Sequence, residues 1–432
     1  MYLSTIIFGY GKDGIEIKVN PSWNLTVFCP KKQVVIEDPN NSIKESINNP
    51  TGTLPLRDII KEKGDLKQIC IVVSDATRPV PSKIILNALV EELNSYGIED
   101  NQILVLIATG LHRRSREDEL ERILGRDLKN RLKSIDHVAT DKTSLNYFGT
   151  APDGVPIYIN KHYCESDLKI LTGYVEPHFF FGFSGGRKSL APGIAGAETI
   201  QANHSAENIA HPLARFGFDE GNPMHENSKQ ISDIVGTDFI VNVCINEHHE
   251  ITLVAAGNIK KVHEQLVDYQ MKYIFEEIDE LYDIVICGNG GYPLDLNLYQ
   301  AVKSMAIGEI AVKEGGTIIS VNELSDGVGI GQENFKDLIF SGETPKKIYE
   351  QVLNKEIVIP DQWEIQVLTR IMRKAEIYVI SSLKEEEIGN IGLKYADSVE
   401  EAIDASLKKH GQEARILILP NGPQVIPYLK KQ

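Results

Sequence analysis

Much of what usually marks a protein class is missing from this chain. Cysteine is scarce, with five in 432 residues. They stand at Cys29, Cys70, Cys164, Cys244 and Cys287, and none forms a C-x-x-C pair. A disulfide framework and a cysteine-rich zinc module are therefore not encoded, and the pattern suits a reducing, cytoplasmic setting. No apolar run approaches the roughly 18 residues of a membrane span. The opening MYLSTIIFGYGKDG has no basic segment ahead of a long apolar one, so it does not read as a secretion signal. Basic residues are outnumbered, 45 Lys and Arg against 61 Asp and Glu, for a net charge of −16. Such a surface repels phosphate backbones and anionic lipid heads, which sets aside nucleic acid and membrane as main partners. There is no H-E-x-x-H motif: His225-Glu226 lacks the second histidine, because Lys229 holds its place. Gly327 to Gly331 misses the G-x-G-x-x-G spacing. The loop Ser184-Gly185-Gly186-Arg187-Lys188-Ser189 misses the P-loop pattern, since Arg187 stands between glycine and lysine.

What is present is an ordinary globular composition, 42 % hydrophobic and 25 % charged, in a length that suits two or three domains. The first fifty residues read as β-rich, with turns at Gly11, Pro30 and Pro39-Asn40. Then apolar runs alternate with helical patterns. Ile69 to Val73, Ile103 to Ile107 and Lys169 to Thr172 read as strands; Pro81 to Tyr96 and a helix opening at Ser115 lie between them. A hairpin is expected over Phe239 to Ala256 and a long helix over Ile259 to Ile278. The rhythm restarts with strands at Ile284, Thr317 and Ile377. This predicts an α/β fold of two domains, each a mainly parallel sheet flanked by helices. The expected boundaries are 1–272 and 273–413, with the last strand, in 414–432, able to rejoin the first domain.

Open α/β sheets bind ligands beyond the carboxyl ends of their strands. Unusual polar clusters follow three apolar runs here: Ser74 to Pro79, Ala108 to Arg114, and Gly173 to His178. They bring Asp75, Arg78, His112 and His178 to what should be one edge. The densest segment follows, from His178 to His204. Read singly, each histidine is as easily structural as catalytic; together with Asp75 and Arg78 they favour acid–base work. Gln300 and Lys303 share a helix face and can hold a carboxylate, though an exposed polar face is the plainer reading. Trp363 by default packs.

Five motifs then become specific together. Asp75-x-Thr77-Arg78-Pro79, Thr109-Gly110-Leu111-His112-Arg113, Glu176-Pro177-His178, Ser184-Gly185-Gly186-Arg187-Lys188 and Asn203-His204 resemble, in order and spacing, the nickel-dependent lactate racemase family. Tyr299-Gln300-x-x-Lys303 and Trp363 extend the resemblance. It implies a racemase of small 2-hydroxy acids with a nickel-pincer nucleotide, a pyridinium-3-thioamide-5-thiocarboxylic acid mononucleotide made by accessory proteins. By the same resemblance Lys188 is its covalent anchor and His204 the protein ligand to nickel. Asp75, Thr77, Arg78, Gly185 and Gly186 would line the cofactor. His112 and His178 would serve as alternating acid and base. Arg78, Tyr299, Gln300, Lys303 and Trp363 would hold the substrate; since they come from both halves, the resemblance implies an active site in the interdomain cleft.

The chemistry is consistent with that set. A proton on the α-carbon of lactate is hard to remove beside a carboxylate, whereas hydride leaves more easily toward an electrophilic ring. Two opposite bases then serve the two enantiomers. A larger or dicarboxylic 2-hydroxy acid on the same machinery is the alternative. An NAD-dependent dehydrogenase and a non-catalytic nucleotide- or metal-binding protein are further ones.

Overall fold

A computed structural model describes residues 5–430. It separates into two units, Lys32–Lys272 and the segments on either side of it, up to Lys31 and from Tyr273 onward. Residues before Lys32 thus belong with the second unit, not with the first as expected. The reason is strand pairing: Asn24–Val27 lies parallel to Arg415–Leu419 at the edge of the second sheet. The same pairing places the last expected strand in the second unit, so it does not rejoin the first.

In the Lys32–Lys272 unit, six strands form one sheet. Ile69–Ser74, Ile103–Ala108, Lys133–Asp136, Leu168–Tyr174 and Phe239–Ile245 run parallel, and Ile251–Gly257 closes one edge antiparallel. Five of the six residues of Ile69–Ser74 and of Ile103–Ala108 are buried, as central strands covered on both faces must be. Numbered along the chain, the strands stand in the spatial order three-two-one-four-five-six. The chain therefore reverses direction between Ile69–Ser74 and Leu168–Tyr174. That reversal opens a crevice at their carboxyl ends, where doubly wound sheets bind ligands.

The second sheet is parallel throughout, in the order Lys394–Tyr395, Glu376–Ile380, Val312–Val321, Tyr282–Cys287, Arg415–Leu419, Asn24–Val27. Each sheet has its own core. Among the described residues no helix is long and apolar enough to cross a membrane.

Several local expectations need correction. Pro39 starts a helix, Pro39–Asn48, rather than a turn: Asp38 caps it, Pro39 occupies its first turn, and Ile43 and Ile47 bury its inner face. The long helix ends at Ile274, because Phe275–Ile278 pairs instead with Ile426–Leu429. The helix at Ser115 begins at Glu117, since Ser115 gives its hydroxyl to Asp136. The single helix that the pattern of residues 197–210 predicts is broken at His204: Ala197–Asn203 ends there and Ala206–Ala210 starts anew under a Ser205 cap. Gly9, Gly11 and Gly14 do carry the G-x-G-x-x-G spacing. They form a turn between antiparallel strands Thr5–Phe8 and Ile15–Lys18, so no helix N-terminus stands ready for a phosphate.

Candidate functional site

The crevice is lined first by the segment after Ile69–Ser74. Asp75 is buried there, at 7 % exposure. Its Oδ2 lies 2.8 Å from Nδ1 of His112, and its Oδ1 accepts the Thr77 hydroxyl at 2.7 Å. Burial alone would raise the Asp75 carboxyl. Hydrogen bonds from His112 and Thr77 and the charge of Arg78 outweigh it and hold the group below its ordinary value. An ionised carboxylate only accepts, so Nδ1 of His112 carries the proton and Nε2 the lone pair. Thr77 and Arg78 are exposed.

His112 sits in a turn held from two sides. Its amide donates to Thr109 O, and Gly110 N, at φ +52°, donates to Gly193 O. Arg113 then makes a two-pronged bond to Glu119 at 2.8 and 2.6 Å, which ties the turn to the following helix. That pairing, led by the Arg113 hydrogen bond, holds Glu119 down at about 2.

The segment after Leu168–Tyr174 contributes His178, which pairs through Pro177–His178 with Gly182–Phe183. Phe179, Phe180 and Phe181 place their rings 5.1, 4.6 and 6.2 Å from its imidazole. Its Nδ1 accepts the Phe181 amide at 3.3 Å. The aromatic run therefore frames His178 and also reaches His204, whose ring meets Phe180 edge-on at 5.5 Å.

The Gly185–Gly186 turn has a cause within the protein. Both residues have positive φ, +71° and +53°. A Cβ on Gly185 would stand 2.6 Å from Tyr174 O, and one on Gly186 would stand 2.7 Å from His263 Nδ1. So these glycines allow the loop to press against its own sheet and helix. The turn delivers Lys188, half-buried, with Nζ 4.5 Å above the Phe181 ring.

His204 caps Ala197–Asn203 at 7 % exposure. Burial, and then the charge of Lys188, push its pKa down to about 3. Its Nδ1 lies 3.0 Å from Ile200 O, a carbonyl that only accepts. The ring is thus neutral, with the proton on Nδ1 and the lone pair on Nε2. That is the form a metal takes, and the Lys188 side chain is close enough to influence it. A neutral Nε2 beside the Lys188 charge is a donor that suits a metal-bearing group.

The second unit holds its own cluster. Lys303 Nζ donates to Gln300 Oε1 at 2.6 Å on helix Leu298–Ala311. Tyr299 packs edge-on against Phe335 at 5.4 Å. Trp363 stands in the first turn of Gln362–Lys374, half-buried. Its neighbour Glu364 was not singled out from the sequence. Burial raises Glu364 to about 8, the charge of Lys303 opposing and that of Asp361 reinforcing the shift. Only the pairing of two helices reveals it, since nothing in the spacing of Lys303 and Glu364 links them.

Residues 10–217 match the family profile described as the lactate racemase N-terminal domain, and residues 278–427 match the lactate racemase C-terminal domain. The chain is 37 % identical over 387 residues to the lactate racemase of Thermoanaerobacterium thermosaccharolyticum, covering 89 % of each. It is 38 % identical over 388 residues to that of Lactiplantibacillus plantarum, covering 89 % of this chain and 90 % of the relative. The apoprotein structure of the Thermoanaerobacterium thermosaccharolyticum lactate racemase superposes with a TM-score of 0.90 at 33 % identity, covering 99 % of this chain and all of that one. A Thermotoga maritima protein at 19 % identity and a TM-score of 0.66 shares the fold.

Proposed function

The chain belongs to the lactate racemase family, and from that premise we propose that it is an isomerase interconverting D- and L-lactate with a nickel-pincer nucleotide held by Lys188 and His204. The observation that carries this reading is His204: a buried, neutral imidazole with its Nε2 lone pair fixed by the Ile200 carbonyl, under the influence of the Lys188 charge. The bound cofactor, made by separate accessory proteins, would supply the acceptor for the hydride on the substrate α-carbon.

The chain's own residues do the rest. His112 presents Nε2 as the base for the hydroxyl proton, and Asp75 stabilises the imidazolium that results. His178 starts from the other condition. Because its Nδ1 accepts from Phe181, its proton is on Nε2 and it donates toward oxygen. To act as base for the opposite enantiomer it must release the Phe181 amide. At 3.3 Å that bond is long, so little is lost. Arg78 and the Gln300–Lys303 pair offer the cations and donors for the substrate carboxylate. Tyr299 and Trp363 supply aromatic surface for a short side chain, which favours lactate over a larger or dicarboxylic acid. Thr77 completes the polar wall beside Asp75.

The test is to co-produce the chain with the cofactor-making proteins and nickel, then combine peptide mass spectrometry with a racemisation assay. A mass increment on the Lys188 peptide, absent in Lys188→Ala, is expected together with lactate racemisation. Increment without lactate turnover would move the substrate to another 2-hydroxy acid. No increment, with a loaded control racemase in hand, would refute the cofactor assignment.

A further inference from the structure

His225-Glu226 imitates the start of a zinc-helix motif but lacks the second histidine on its own helix. The fold brings other ligands to it. Asp219 lies in the turn before helix Pro223–Val235, His225 in its first turn, and His263 on helix Ile259–Ile274. All three belong to the Lys32–Lys272 unit. One ligand atom from each falls within 4.8 Å of the others. We propose that Asp219, His225 and His263 form a second metal site, for a divalent cation of the zinc class, which braces the turn carrying Lys188.

Three features argue for an ion here. The first is spacing. His225 Nδ1 stands 3.3 Å from Asp219 Oδ1, while His263 Nε2 hydrogen-bonds to the other oxygen, Oδ2, at 2.9 Å. Ligands about 2.0–2.1 Å from a tetrahedral ion stand roughly 3.3 Å from one another. The second is satisfaction. Asp219 Oδ1 is buried and forms no hydrogen bond of proper geometry, although His225 is its neighbour. Buried polar atoms rarely stay so, and a cation would engage this one. The third is charge. The histidines are buried, at 7 % and 4 % exposure. Burial pushes His225 down to about 4, so its ring is neutral, as a ligand must be. Asp219, Glu226, Asp233 and Glu264 all act on the neighbouring Arg187. The surroundings are acidic even after that guanidinium and Lys229, which pairs with Glu226, are counted.

The site reaches Lys188 along two contacts. The Gly186 turn rests on His263, and His225 meets Phe181 at 6.2 Å, the ring beneath the Lys188 ammonium. An ion here would fix both supports.

The experiment uses the chelator-treated full chain. It is titrated with zinc chloride by calorimetry and with cobalt chloride by visible absorption. One tight equivalent is expected, with four-coordinate cobalt bands and a raised Tm. Asp219→Asn and His263→Gln should each weaken zinc binding at least a hundredfold, whereas His204→Ala should retain that equivalent. No uptake by the wild-type chain, or uptake lost in His204→Ala and kept in Asp219→Asn, overturns the proposal. If the variants fail to fold by circular dichroism, X-ray absorption on the wild-type zinc complex decides. Two imidazoles with an oxygen ligand support the site, and any other set refutes it.

Discussion

Asp75 stands at the carboxyl end of a parallel strand with both oxygens engaged, one by His112 and one by Thr77. An amide in its place could turn its NH₂ toward Nδ1 and favour the wrong tautomer. Asp75→Asn is therefore expected to lower kcat by about 10²–10⁴-fold, with the mass at Lys188 unchanged. Rates within threefold of wild type would mean that Asp75 does not orient His112. Glu364 makes a second case. Burial keeps it protonated up to about 8; above that it is anionic and offsets the charge of Lys303, the group proposed for the substrate carboxylate. KM for lactate should thus rise as pH passes 8, and Glu364→Gln should remove that rise; an unaltered KM–pH profile would refute the role. At this scale the site was only partly legible. Lys188, His204 and the two strand-end histidines stand in compact motifs. Glu364, Asp219 and His263 each acquire their partner from a distant segment, and no local spacing announces that.

Elements were legible where their cause is local. The buried runs Ile69–Ser74 and Ile103–Ala108 carry their own signature, and so does Ser82–Ser95, with its apolar face. Phe275–Ile278 did not, because as a continuation of the preceding helical pattern it reads as helix until Ile426–Leu429 pairs with it. The same holds for the Gly185–Gly186 turn, whose packing partners are Tyr174, Asn242 and His263. Gly185→Ala should cost about 1–3 kcal/mol in backbone strain alone, and more through the clash with Tyr174 O. A lowered Tm together with reduced labelling of Lys188 is expected. If the variant melts and loads like wild type, the turn is not held as described.

Across the Lys32–Lys272 unit, His137, His204 and His225 are buried, and burial holds them near 4, 3 and 4 against an ordinary 6.5. Between those values the unfolded chain binds protons that the folded one does not, so stability rises with pH and falls on acidification below 6.5. With all three contributing, the slope is expected to reach up to about 4 kcal/mol per pH unit. Urea unfolding of the metal-free chain at pH 7, 6 and 5 checks this: the midpoint should drop at each step, and a flat midpoint would contradict the burial.

The pairing of Asn24–Val27 with Arg415–Leu419 has a further consequence. During synthesis Asn24–Val27 leaves the ribosome long before its partner Arg415–Leu419. Everything from Lys32 to Lys272 is made in between. The inserted unit can therefore complete its sheet while the surrounding one still lacks an edge. The nascent N-terminal segment meanwhile waits with its hydrogen-bonding groups unpaired, exposed to whatever binds extended chains. A premature stop before Arg415 would release a chain with one finished unit and one that cannot close.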